Sequence, residues 1–385
     1  MTSDWQALIR SLHAAPHQAV LAVTGGGTSA LCELLAVPGA SRTVIEAVVP
    51  YAAASLSDFL GRPPEQFCSE TTALAMASVA YHRAAALTVD ATDTPPPLVG
   101  IGGTAALVSD RPKRGAHRCF VAAQTADRTI STALELTKGA RDRAEEDRLV
   151  GQIVLCVLAE ACGMTDVPPL PLRPEETLVH HREIAPAELA QLWSGQAQLV
   201  WSLPDGKLAE ALDAPPLGVL CGAFNPLHAG HQALRRVAEK RLGGPVYHEL
   251  TVTNADKPPL DYLTIARRRE QFRDCPLALT NAPTFAEKSA ALPGTTFVVG
   301  FDTAERILQP RFYGGEAEGV TRALEAIRRA GCRFLVAGRL TRAKFQTAED
   351  LHIPAGFADL FAGLSEDEFR EDISSTELRA KAHTS

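Results

Sequence analysis

Two histidines three residues apart, His228 and His231, follow a short apolar run in Gly218-Val-Leu-Cys-Gly-Ala-Phe-Asn-Pro-Leu-His-Ala-Gly-His231. Behind them, Gln232 to Leu242 spaces Leu234, Val237, Ala238 and Leu242 at helical intervals. Both imidazoles therefore fall at the start of a helix, where outward-pointing backbone N–H groups and the helix dipole favour an anion. In outline this is a polyphosphate site. Histidines at a helix start also serve as plain caps and turn residues, and spacing alone favours that use. Gly222 at the strand end and Gly230 between the histidines weigh against it, because both imply a backbone that turns tightly and approaches something closely.

A second cluster stands near the C-terminus, Ile373-Ser-Ser-Thr-Glu-Leu-Arg379. Ser374 with Glu377 is an S-x-x-E capping box, which opens a helix whatever its function. Capping leaves Ser375, Thr376 and Arg379 unexplained. Two hydroxyls and a guanidinium at a helix N-terminus form a cradle suited to phosphate oxygens.

The elements that must position these groups alternate strand-like apolar runs with amphipathic stretches, the pattern of an α/β protein with mainly parallel sheet. Ala19 to Val23 reads as a strand, Thr24-Gly-Gly-Gly-Thr28 as a loop and Ser29 to Ala36 as a helix. This loop is neither G-x-x-x-x-G-K-[ST] nor G-x-G-x-x-G, so a tight turn explains it at least as well as anion binding. Lys138 to Ala161 reads as one long helix, charged first and apolar later, with Arg141, Glu145, Asp147 and Arg148 on a salt-bridged solvent face. Four prolines between Thr165 and Pro174 mark a boundary. We therefore expect a first domain over 1–165 and a Pro-rich connector over 166–213, with a helical pattern at Pro186 to Trp193 and a strand at Gln198 to Leu203. A second α/β domain over 214–385 opens on the strand Leu217 to Ala223.

At 385 residues, 46% apolar and 22% charged, the chain is long and apolar enough for two or three cores. Its 38 basic and 45 acidic side chains give −7, which excludes a surface that is wholly a nucleic-acid footprint. The acidity lies in front: residues 214–385 carry 22 basic and 21 acidic side chains, residues 1–213 carry 16 and 24. No apolar run reaches the roughly 18 to 20 residues of a membrane span. Asp4 and Trp5 precede any basic residue and no h-region follows, so we expect a cytoplasmic protein with neither membrane nor nucleic acid as partner. The eight cysteines (32, 68, 119, 156, 162, 221, 275 and 332) show no zinc spacing and read as reduced, buried thiols.

The run G-A-F-N-P-L-H-A-G-H resembles the signature of the H-x-G-H nucleotidylyltransferase superfamily, and through Phe-Asn-Pro its nicotinamide-mononucleotide adenylyltransferase branch. Three further matches follow in order: Thr253-Asn254-Ala-Asp-Lys257-Pro-Pro, Phe297-Val-Val-Gly300-Phe-Asp302-Thr, and the I-S-S-T-x-x-R motif at 373–379. The resemblance implies a Rossmann-like doubly wound parallel sheet. It also implies in-line attack by a substrate phosphate on the α-phosphorus of ATP, or of CTP, carried with Mg2+, with release of pyrophosphate. By resemblance His228 and His231 hold the α- and β-phosphates, and Ser375, Thr376 and Arg379 the β- and γ-phosphates. Gly222, Ala223, Phe224, Gly300, Asp302 and Ser374 line the nucleotide. Asn254 and Lys257 are acceptor candidates; Lys257 reads equally as an exposed loop lysine, and Asp302 equally as a turn residue. Arg267, Arg268 and Arg269 read first as a solvated face. The C-terminal region is also similar to cytidylyltransferase-like proteins of plants.

The first 165 residues resemble the CinA C-terminal family, whose active members are nicotinamide-nucleotide amidases. Thr24-Gly-Gly, Pro38-Gly-Ala-Ser41, Val48 to Tyr51, Leu60-Gly61, Gly100-Ile-Gly-Gly-Thr104 and Gly139-Ala-Arg141 carry the likeness. The family's Ser two residues before Thr-Gly-Gly is Ala22 here, and its Lys five residues after the Tyr is Leu56. Neither can supply a Ser/Lys acyl-transfer pair, which points to a degenerate domain used for ligand binding or for homo-oligomer assembly. The combined expectation is a nucleotidylyltransferase acting on a phosphorylated acceptor such as nicotinamide mononucleotide. The alternatives are cytidylyl or adenylyl transfer to another phosphorylated acceptor, a non-catalytic nucleotide sensor, and an amidase with another nucleophile.

Overall fold

The computed structural model describes residues 3–88, 96–111, 114–254, 257–340 and 344–370. The chain forms two compact units, Met1–Ala190 with Asp256–Ile265, and Gln191–Ala255 with Ala266–Ser385. The motif at 373–379, with Ser374, Ser375, Thr376 and Arg379, lies outside the described residues.

The first unit begins with α1 (Ser3–Ala14), β1 (Gln18–Thr24), α2 (Thr28–Ala36), β2 (Val44–Val48), α3 (Ala53–Phe59) and α4 (Glu70–Thr88). It continues through β3 (Leu98–Ala106), β4 (His117–Gln124), β5 (Arg128–Leu136), α5 (Arg143–Ala161) and β6 (Val179–Ile184). Its mixed sheet has the order β2-β1-β3-β4-β5-β6, with β1 parallel to both neighbours and the other pairs antiparallel. The period of two along β1 divides the core: Leu21 and Val23 pack with α1, α2 and α5, while on the other face Ala22 clusters with Met76 and Val20 with Ala80 and Ala84, all three of α4.

Two glycines of β3 serve packing. A Cβ on Gly100 or Gly102 would collide with the carbonyls of Ala77 and Ala73, so α4 lies directly on β3. The N–H groups of Gly27, Thr28 and Ser29 donate to the Asp147 carboxylate at 2.8, 3.3 and 3.0 Å. A protein carboxylate thus takes the place an anion would have at this helix start, and the Thr24–Thr28 loop is a strand-to-helix turn closed by α5.

That finding corrects the reading of a solvated face for Asp147, while Glu145 and Arg148 are exposed as expected. The helix starts at Arg143, later than the charge pattern implies, because Asp142 and Glu145 form a capping box. Glu146 is fully buried, accepting from Val108 N at 2.7 Å and bonded to His117 Nδ1 at 2.8 Å. Arg141 pairs with Glu176 at 2.6 Å, where both side chains are nearly enclosed.

The stretch read as a connector contributes to both sheets. β6 pairs with β5, and within α6 (Ala187–Trp193) one unit gives way to the other. β7 (Leu199–Ser202) and β8 (Leu208–Ala209) then form an antiparallel edge of the second sheet.

The second unit holds β9 (Gly218–Cys221), α7 (Ala229–Leu242) and β10 (Val246–Thr251), and α8 (Tyr262–Arg269) enters it from Ala266 onward. Then come β11 (Leu277–Thr280), α9 (Phe285–Ala291), β12 (Thr296–Gly300), α10 (Phe301–Ile307), α11 (Ala317–Arg329) and β13 (Arg333–Ala337). A short antiparallel pair, β14 (Arg339–Leu340) and β15 (Phe345–Gln346), precedes β16 (Phe361–Gly363). The eight-stranded order is β16-β13-β12-β9-β10-β11-β7-β8. Its six parallel strands run β11-β10-β9-β12-β13-β16, which is the doubly wound 3-2-1-4-5-6 arrangement.

All eight cysteines are free thiols; Cys119, Cys275 and Cys332 are buried, but Cys32 is exposed, against the expectation of uniform burial. Among the described residues no helix is long and apolar enough to cross a membrane.

Candidate active site

In a doubly wound sheet the crevice lies beyond the carboxyl ends of the strands where their order reverses. Here that point is between β9 and β12, paired through Val219↔Phe297 and Leu220↔Val298. The loop after β9 carries Gly222, Ala223, Phe224 and His228, and His231 lies in the first turn of α7. Gly300 ends β12 and Asp302 lies in the first turn of α10.

Gly222 donates its N–H to Glu249 O at 3.1 Å, and a Cβ there would stand 2.8 Å from the Phe224 ring. Phe224 has φ +45°, the left-handed region that a bulky residue seldom occupies, and is 1% exposed. Its ring meets His231, His248 and Phe272 edge-on, with centroids 5.1, 5.1 and 5.3 Å away. Burial of this aromatic ring offsets the backbone strain.

His228 is the N-cap of α7, and its N–H donates to His231 Nδ1 at 3.3 Å. The two rings stack with centroids 3.7 Å apart and planes 28° apart. Burial, then the neighbouring His228, lower the pKa of His231 to about 4. A neutral ring whose Nδ1 accepts must carry its proton on Nε2, so His231 is a hydrogen-bond donor there.

Residues without any motif hold this loop. Gln271 Oε1 accepts from Leu227 N–H at 2.7 Å, and its Nε2 donates to Phe224 O at 3.2 Å. Arg268 donates to Ala223 O. Arg269 donates to Ser202 Oγ and Gly206 O at 2.9 Å each. The basic run expected as a solvated face is therefore in part structural, because guanidiniums reach backbone carbonyls that strand ends leave open.

Behind the loop, Glu249 of β10 and Lys288 of α9 form a buried ion pair of 2.6 Å, with Thr280 and Thr251 also donating to Glu249. Burial pushes the Glu249 carboxyl up, but the Lys288 ammonium and these hydrogen bonds outweigh it and hold it below the usual range. Thr251 also accepts from Lys288, which ties down the end of β10 just before Thr253 and Asn254. The sequence gives no sign of this pair, whose members lie 39 positions apart.

The remaining candidates are more dispersed. Asp302 sits in the first turn of α10, exposed and paired with Arg339. Asn254 is exposed in the second unit, whereas Lys257 is exposed and counted with the first. Among the described residues no group of three or more His, Cys, Asp or Glu could hold a metal ion. In the first unit Ala22 and Leu56 share one apolar cluster with Leu60 and Met76, at 0 and 2% exposure, while Tyr51 is 66% exposed. Ala22 and Leu56, read as unable to supply a Ser/Lys pair, are thus core-packing residues.

No curated protein matches the chain. Among solved structures it is similar to the competence/damage inducible protein CihA from Agrobacterium tumefaciens, at 19% identity and a TM-score of 0.32, over 42% of this chain and 96% of that one. It is also similar to a competence-damaged protein (CinA) superfamily member from Escherichia coli, at 15% identity and a TM-score of 0.32, over 42% and 93%. Residues 219–381 match the family described as cytidylyltransferase-like, a span that contains the β9 loop, both histidines and five of the six parallel strands in full. The C-terminal part of this chain is therefore similar to the cytidylyltransferase-like family.

Proposed function

We propose that the second unit transfers a nucleoside monophosphate, foremost AMP from ATP, to a phosphorylated acceptor such as nicotinamide mononucleotide and releases pyrophosphate. The observation that carries this reading is the stacked His228–His231 pair at the start of α7, beside the strand-order reversal. The cytidylyltransferase-like match supports nucleotidyl transfer as the reaction class.

An acceptor phosphate oxygen attacks the α-phosphorus, a new P–O bond forms, and the bond to the β-phosphate bridging oxygen breaks. Pyrophosphate leaves with that electron pair. No protein nucleophile is needed, so the chain's contribution is position and charge stabilisation. The neutral His231 donates from Nε2 to a phosphate oxygen, and the first turn of α7 presents N–H groups to the same anion. His228, whose backbone fixes the His231 ring, takes the adjacent phosphate. Imidazoles and amides suit phosphate oxygens better than a hard cation, so Mg2+ would arrive on the triphosphate, where it neutralises charge. Ser375, Thr376 and Arg379 are proposed for the β- and γ-phosphates, and Asn254 for the acceptor.

The test is pyrophosphate release from ATP or CTP with Mg2+ and a panel of phosphorylated acceptors, alongside His228→Ala and His231→Ala. Turnover in the wild type and a loss of about 10²-fold or more in both variants is the expected result. Nucleotide binding without pyrophosphate would instead mark a sensor, and ammonia release from nicotinamide mononucleotide an amidase.

A further inference from the structure

We infer that Gln271 is a positioning residue for the histidine pair, a role that rests on the nucleotidyl-transfer reading for its catalytic consequence but not for its geometry. Its carboxamide spans the Phe224–Leu227 loop, with Oε1 on the Leu227 N–H at 2.7 Å and Nε2 on the Phe224 carbonyl at 3.2 Å. A backbone N–H can only be met by the amide oxygen, and a carbonyl only by the amide nitrogen. The pair of bonds therefore fixes the orientation of the amide, and an acid or an apolar side chain of the same length cannot reproduce it. Nε2 also reaches Arg268 O at 3.4 Å, which anchors the amide to its own turn.

The bracket closes around Asn225 and Pro226, one residue before His228. At its near end Phe224 is held at φ +45° with its ring against His231. At its far end Leu227 passes directly into His228, whose N–H orients the His231 ring. With the bracket open, the strained Phe224 backbone can relax and both imidazoles lose their common reference. Misplacement of about 1 Å at a site of this kind costs on the order of 10²-fold in rate.

Gln271→Glu keeps the acceptor for Leu227 and sets a carboxylate oxygen against the Phe224 carbonyl; Gln271→Leu removes both bonds. The experiment measures thermal unfolding, histidine proton titrations by NMR, and pyrophosphate release for both variants and the wild type. We expect folded variants in which the His231 resonance titrates closer to 6.5 than to the wild type's value of about 4. kcat should fall about 10-fold or more in Gln271→Glu and further in Gln271→Leu, with the KM for nucleotide changed far less. If Gln271→Leu does not fold, Gln271→Glu carries the comparison. Histidine titrations in the folded variants identical to the wild type would overturn the inference. A shifted His231 in a protein whose wild type releases no pyrophosphate would leave Gln271 as the loop's bracket and refute the transferase reading alone.

Discussion

His231 and His248 are both held near pKa 4, and in both burial is the leading cause. For His231 the second cause is His228; for His248 it is Arg235, with Asp274 opposing. Their folded values lie below the 6.5 of an unfolded histidine, so between pH 6.5 and about 4 the unfolded chain binds more protons. Stability is therefore lost as the pH falls through that window and is fully present above it. Melting temperatures taken from pH 7 to 4 should decline in the wild type and decline less steeply in His231→Gln. Parallel curves would contradict the assignment of a neutral, buried His231. His228 and His231 were legible because their spacing is itself a signal. Those that hold them, Gln271, Phe272 and His248, carry no pattern, since a side chain that braces a loop from a distant element needs only to arrive there.

At the scale of elements, the β9 loop depends on one missing side chain and one buried charge pair. Gly222→Ala puts a Cβ within 2.8 Å of the Phe224 ring, with the Gly222 N–H bonded to Glu249 O. We expect the ring to move, lowering transfer activity by at least about 10-fold while the protein stays folded. Normal activity in Gly222→Ala would show that the Phe224 position is not needed. Lys288→Met strands the Glu249 carboxylate in a dry site and should cost about 3–5 kcal/mol in chemical denaturation. Adding Glu249→Gln should recover much of that loss, because the amide is neutral and still accepts from Thr280 and Thr251. A loss below about 1 kcal/mol in the single variant would contradict the buried pair. Elements with an apolar period were legible, as β1, α2, α6, β7 and α7 attest. β6 was not, because Val179–Ile184 has almost no buried position and hence no alternation to read. The start of α5 was displaced for a different reason: its Asp142–Glu145 capping box outranks the charge periodicity that precedes it.

At the scale of the whole molecule, the two units use their residues differently. The first keeps a glycine-rich framework, yet its glycines serve close helix packing and turns, Asp147 fills the loop donors, and Ala22 and Leu56 belong to the core. Those uses could not be read from the sequence, where a glycine that admits a ligand and one that admits a helix look alike. The second unit keeps the doubly wound order and concentrates the histidines at its reversal point. Nucleotidyl transfer by this second unit is read most directly as pyrophosphate released by the full chain with Mg2+, ATP or CTP and phosphorylated acceptors. Turnover with at least one acceptor and a fall of about 10²-fold or more in His231→Ala is expected. Absence of pyrophosphate with every acceptor, or equal turnover in His231→Ala, would contradict it.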